Sequence, residues 1–473
     1  MNIALSSVEK TLDEVVFHDD ILAKYQRERD IYGSLLDAAE RAYMACRVRL
    51  SDRRVWHINS TAFGGGVAEM LPHHIALMRG FGIDMRWLIF KPRDKQFFAF
   101  TKGLHNSLHN VQTPTTDELV ASYERESRQG ARDLRRIIGA DDVVIVHDPQ
   151  PLAAASFFLE SQPHPAIWRC HIGYPQRAPT VDRTWEFLRG YLRPFHRVVL
   201  SDADYAFNGF SDIDIIPPSI SPFADKNLSY PGEPGDELER YVSINRYDED
   251  LRISLADLIT ERYFLQVSRW DRLKGIDRVL EAFRRFVENE SSVADGTSLV
   301  IAGPDPAGVS DDPEAAEYLS ECEAHAARLP RKVRQHIRFV CVSMNDHQKN
   351  AEIISRLQAR AFAVFQLSKE EGFGLALTEA LFKCRPVVVS DAFGLKRQII
   401  DGVNGIVIQE PGIEEKASEI MRRLVIGTIA HPWLGRTARE MCIQNSVQIA
   451  RAPSWLQSIA NGVAQFEADS HSQ

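Results

Sequence analysis

The chain has 473 residues, 44% hydrophobic and 26% charged, with 56 Lys and Arg against 65 Asp and Glu for a formal charge of −9. That length exceeds what one core normally supports and predicts two domains, while the acidic balance leaves no basic footprint for nucleic acid. No apolar run approaches the ~18 residues of a membrane span, no cationic leader opens the chain, and six scattered cysteines lack any C-x-x-C pair, so a cytoplasmic protein with reduced thiols and no zinc site is expected.

In chain order, residues 1–50 read as helical with mixed charge. Strands are predicted at 55–59, 83–90, 142–147, 166–171 and 197–201, with helical patterns between them, and such alternation implies a parallel sheet. The runs 215–222 and 229–239, rich in Pro, Gly and Glu, form the clearest linker and place a boundary near residue 225. A second series follows at 263–268, 298–303, 337–341, 362–366, 386–390 and 405–408, a second doubly wound α/β unit. The stretch from about 437 to 467 reads as helical again.

Two glycine turns stand where a strand hands over to a helix. In Asn59-Ser-Thr-Ala-Phe-Gly-Gly-Gly-Val-Ala-Glu69, Gly64, Gly65 and Gly66 let the backbone curl against an anion or sugar at the helix start. The spacing is neither a Walker loop nor a dinucleotide fingerprint, and a plain tight turn accounts for it equally well. In Lys369-Glu-Glu-Gly-Phe-Gly-Leu-Ala-Leu-Thr-Glu379, two carboxylates, Glu371 and Glu379, bracket Gly372, Phe373, Gly374 and Leu375, where amides and carboxylates would meet phosphate or sugar oxygens. The alternative is a helix start with acids placed for its dipole. Arg269 and Lys274, five apart in Ser268-Arg-Trp-Asp-Arg-Leu-Lys-Gly275, suit a diphosphate, or else are surface charges on a loop. His171 follows a strand, and Asp148 and Gln150 lie in the turn His147-Asp-Pro-Gln-Pro151; a core histidine and turn formers are the competing accounts.

These motifs, with Phe100-Thr-Lys102, His105-Asn106, Trp168-Arg-Cys-His171 and Ile216-Pro-Pro-Ser-Ile220 in order, resemble the retaining glycosyltransferases of the GT-B fold, family four, and within it the trehalose-forming glycosyltransferring synthases. The resemblance spans most of residues 54–410. It implies two Rossmann-like domains facing a central cleft: an acceptor domain, 1–225, joined by a C-terminal crossover helix from about 437 to 473, and a nucleotide-sugar donor domain, 226–436. It further implies retaining transfer of a hexose, glucose first, from UDP-, ADP- or GDP-glucose to a sugar acceptor, with no tightly bound cofactor, no metal and a possible homodimer.

Under that resemblance Arg269 and Lys274 clamp the leaving diphosphate, Glu371 holds hexose hydroxyls and Glu379 the ribose. Val342 and Ser343 flank the base, His171 contacts the transferred sugar, and Asp148 and Gln150 line the acceptor site. One position departs: relatives tend to follow the histidine with Ile-Asp, whereas this chain has Ile172-Gly173. Two alternatives stay open, a trehalose-phosphorylase-like enzyme that uses phosphate in place of the nucleotide, and a non-catalytic sugar-nucleotide sensor on the same fold.

Overall fold

The computed structural model describes residues 3–63, 65–207, 209–245, 248–308 and 314–471. The chain divides into two compact units, one built from residues up to Ser221 together with those from Ser446 onward, the other from Pro222 to Asn445.

In the first unit, β1 (Ala4–Glu9), β2 (Leu12–Val16), β3 (Arg54–Asn59), β4 (Asp84–Phe90), β5 (Val143–His147), β6 (Ala166–Cys170), β7 (Arg197–Leu200) and β8 (Ile213–Ile215) form one sheet in the order β1-β2-β4-β3-β5-β6-β7-β8. From β4 to β8 the pairing is parallel. Every residue of β5 and β6 is buried, as expected of parallel strands covered by helices on both faces.

The expectation that the first fifty residues are all helical is corrected here. Residues 4–16 make an antiparallel hairpin that extends the sheet through β2 and β4, and helices begin only at Ile21–Arg27 and Arg29–Leu50. The hairpin turn is held from far along the chain. Asp133, fully buried on the helix Asp117–Ile137, accepts from the Thr11 amide (3.0 Å) and the Thr11 hydroxyl (2.7 Å). A partner 122 residues away leaves no local signature. The expected linker at 215–222 meets β8 only at Ile215.

In the second unit, β9 (Val242–Ile244), β10 (Arg262–Val267), β11 (Thr297–Pro304), β12 (Ile337–Val342), β13 (Ala363–Gln366), β14 (Val387–Ser390) and β15 (Ile406–Ile408) run in the order β15-β14-β13-β10-β11-β12-β9. All pair in parallel except β9, which is antiparallel to β12. The helix Ile276–Asn289 shows how sequence builds this layer. Ile276, Val279, Leu280, Phe283, Phe286 and Val287 recur at helical spacing and are buried, while Glu281 pairs with Arg284 and Arg285 on the other face. Two helices, His431–Ser446 and Gln448–His471, close the chain. No helix among the described residues is long and apolar enough to cross a membrane.

Both sheets have a switch point, where successive connections change direction: between β3 and β5 in the first unit and between β10 and β13 in the second. Loops after the C-terminal ends of strands at such points are where open α/β sheets receive ligands.

Candidate active site

At the switch point of the second unit, the loop after β10 carries Arg269 and Lys274, and the loop after β13 carries Glu371. The Lys369 amide donates to the Leu273 carbonyl (2.7 Å) and so joins the two loops, while Gln266 Nε2, on β10, donates to the Lys274 carbonyl (2.9 Å) and braces the first. Gly275, at φ +66°, starts the helix Ile276–Asn289 where a Cβ would stand 2.0 Å from the Leu367 carbonyl oxygen, so only glycine permits this approach. The result is a forked ion pair, Lys274 Nζ to Glu371 Oε1 at 2.9 Å and Oε2 at 2.8 Å, with each side chain 16% exposed. Trp270 anchors the first loop, buried with its indole donating to the Pro304 carbonyl (2.6 Å), while Arg269 beside it is exposed, with Asp271 at 3.8 Å.

Gly374, at φ +89°, caps the helix Leu375–Phe382 without any side-chain cap. The turn Glu371 to Gly374 is braced from residues 394–398: the Gly394 amide donates to the Glu371 carbonyl (3.0 Å) and Gln398 Nε2 to the Phe373 carbonyl (2.5 Å). Bracing of this kind holds Gly372 and the backbone up to Leu375 in place beside the ion pair. Glu379 lies one turn along and is only 5% exposed, accepting from Gln358 Nε2 (3.0 Å). Lys383 donates to Gln358 Oε1 (2.8 Å), and burial pulls its ammonium down to about 8 despite the opposing pull of Glu379. Val342 ends β12; its carbonyl accepts from the Asp305 amide, and the Ser343 amide donates to the Tyr241 carbonyl (2.7 Å).

In the first unit, Gly65 (φ +81°) caps the helix Gly66–Gly80, with nothing within 4 Å of the position its Cβ would take; Gly64 lies outside the described residues. Asp148, after β5, sits at φ 60°, ψ 180°, a sparsely populated conformation. It is held there by its amide donating to the Arg169 carbonyl (2.8 Å), its carbonyl accepting from Trp168 Nε1 (3.0 Å) and its Oδ1 accepting from the His171 amide (2.7 Å). Burial raises the Asp148 carboxyl to about 6 against the opposing effect of that amide and of Arg169. Gln150 stands half-buried in the first turn of the helix Pro149–Ser161.

His171 belongs to a larger group. His57 Nδ1 lies 2.8 Å from His147 Nε2, and His147 Nδ1 lies 3.0 Å from His171 Nε2. His74 and Trp455 pack edge-on and tilted against His57 and each other, and Arg169, 1% exposed, places its guanidinium 5.9 Å from the Trp455 ring. Burial holds all four imidazoles below their ordinary range, His74 to about 4.

Lys274, Glu371, Asp148 and His171 each stand out in the sequence, and the structure brings Lys274 to Glu371 and Asp148 to His171; sequence reading misses His57, His147 and Arg169 as a cluster. Strand register, which the sequence does not contain, sets this cluster: His147 faces Arg169 across β5 and β6. At the departing position, a Cβ on Gly173 would stand 2.2 Å from Tyr205 Cγ: the tyrosine ring occupies the space a carboxylate side chain would need. A cavity of about 380 Å³ lined by Arg262, Arg360, Arg385 and His431 lies elsewhere, at the N-terminal ends of β10, β13 and β14.

Two parallel-dominated sheets, each with its loops at a switch point, are the architecture of a GT-B glycosyltransferase. Residues 57–207 match the family described as "Trehalose synthase, N-terminal domain", and residues 249–441 match "Glycosyl transferases group 1". The chain is 31% identical over 422 residues to the trehalose synthase of Thermococcus litoralis, covering 89% of this chain and 92% of that one. It is 32% identical over 427 residues to the trehalose synthase of Rubrobacter xylanophilus, covering 89% and 91%. In fold it resembles the structure described as "Trehalose-6-phosphate from E. coli bound with UDP-2-fluoro glucose", with a TM-score of 0.66, 13% identity and coverage of 86% and 99%. The chain belongs to the trehalose synthase family of GT-B glycosyltransferases.

Proposed function

We propose that this enzyme transfers glucose with retention of configuration from a nucleoside-diphosphate glucose to a sugar acceptor, with glucose as the first acceptor to try. The observation that supports this reading best is the half-buried Lys274–Glu371 pair at a switch point, in a chain 31% identical to a trehalose synthase over 89% of its length. A diphosphate is already a good leaving group, so the protein's part is to meet the charge that develops on it.

In this scheme Lys274 gives up part of its hold on Glu371 and turns a proton toward the diphosphate. Arg269 adds a forked contact, and the amides at Gly374 and Leu375 add dipoles. Glu371, partly released, accepts from hexose hydroxyls. Glu379 serves the ribose end, Val342 and Ser343 the base, and Asp148 and Gln150 the acceptor. The acceptor proton passes to the departing phosphate oxygen, which has become basic.

The test is incubation with UDP-, ADP- and GDP-glucose, with and without glucose, following nucleoside diphosphate release and disaccharide, and reading the anomeric configuration of the product by NMR. No diphosphate release with any donor rejects the proposal. Consumption of trehalose with inorganic phosphate, without nucleotide, points instead to the phosphorylase reading.

A further inference from the structure

Four side chains of the first unit lie on one diagonal across four neighbouring parallel strands. Met85 on β4 is opposite Val55 on β3, and His57 lies two residues beyond Val55; His57 is opposite Ile145 on β5, and His147 lies two beyond Ile145; His147 is opposite Arg169 on β6, and His171 lies two beyond Arg169. Steps of two keep all four on the same face of the sheet, each nearer the C-terminal edge. The contacts along the diagonal are continuous: Met85 Sδ to His57 Nε2 at 3.2 Å, then the two imidazole pairs at 2.8 and 3.0 Å.

We propose that Met85, His57 and His147 are a positioning relay that fixes the tautomer of His171, with its Nε2 protonated and its Nδ1 left as a bare acceptor. The direction follows from the sulfur. A thioether has no proton to give, so His57 Nε2 must be the donor of the first contact. A neutral His57 then offers a lone pair at Nδ1, which His147 Nε2–H fills; His147 Nδ1 in turn accepts from His171 Nε2–H. The opposite polarity would set a ring lone pair against the sulfur and bury an N–H at His171 Nδ1, an enclosed atom with no protein partner. A cationic ring is opposed by burial and by Arg169, itself buried beside the chain with Nε and Nη1 unpartnered.

The consequence for turnover rests on the proposed transfer. A His171 held neutral does not oppose positive charge building on the transferred sugar. His57 and His147 act only through His171.

The experiment uses full-length protein labelled with [15N]histidine, without ligand, and reads ring tautomers from two-bond 1H–15N correlations assigned by single His→Gln variants. Expected are neutral rings with Nε2 protonated at His57, His147 and His171. A protonated Nδ1 at His171, or an imidazolium there at neutral pH, overturns the relay. Met85→Leu keeps the volume of the side chain and removes the acceptor. It should mix or reverse the three tautomers and lower kcat about tenfold, the worth of roughly one hydrogen bond, with donor KM changed less than about twofold. Unchanged tautomers in that variant also overturn it. The spectra need no turnover, so failure of the transferase reading and failure of the relay are seen separately.

Discussion

The two units share a topology and differ in how they furnish its C-terminal edge. The second uses full charges: Lys274 and Glu371 meet as ions at 2.8 Å, and Lys383 stands near Glu379 through Gln358. The first uses neutral imidazoles stacked in line, backed by one buried guanidinium. The ion pair comes from the loops after β10 and β13, whereas His57 and His147 stand within β3 and β5 and only His171 follows its strand, β6, so the shared topology leaves both the placement and the polarity of the polar groups open. A partly wet ion pair can exchange partners with a charged ligand, whereas enclosed imidazoles keep direction without charge.

The sharpest way to break this contrast is Lys274→Ala. If the ammonium meets a leaving diphosphate, kcat with a nucleotide glucose should fall about 10²- to 10³-fold, as when a preorganised charge donor is removed. Glu371→Ala should also fall strongly, and the double variant should fall by less than the product, because each single change strands a half-buried partner. Near-normal rates in both single variants would show that the pair is structural.

Acid should separate the units next. His73 and His74 are drawn down to about 4 by burial, and His57, His147 and His171 well below their ordinary range. A histidine depressed in the fold binds fewer protons than in the unfolded chain, so its contribution is present above about 6.5 and lost as pH falls toward 4; His73 and His74 each carry roughly 3 kcal/mol of this. Asp148, raised to about 6, works the other way, its contribution present below its unfolded value and lost as pH rises through 6, but it is one group against five. Amide exchange should therefore show β3 and β5 losing protection between pH 6.5 and 4 before β10 and β11 do. Simultaneous loss would remove the distinction.

Smaller effects refine the picture. Gly173→Ala should destabilise by about 1–3 kcal/mol through overlap with Tyr205, read as a lower Tm, and the effect should shrink in a Tyr205→Ala background. Arg284→Ala, on the solvent face of the helix Ile276–Asn289, should stay within about 0.5 kcal/mol despite its two carboxylate partners.

Alternation of apolar runs with helical patterns, and the glycines at 65, 275 and 374, made the two doubly wound sheets and the loops that carry Lys274, Glu371 and Asp148 legible, because strand burial and backbone freedom are properties of short windows of chain. What no window contains is which strand lies beside which. The first hairpin, tied down by Asp133 across 122 positions, could not be told from helix for that reason. Nor could the meeting of Lys274 with Glu371, 97 positions apart, or the diagonal of Met85 and three histidines. Residue types and local conformation were written in sequence; partners, and with them charge state and tautomer, were decided only when register across the sheets set one side chain within hydrogen-bonding distance of another.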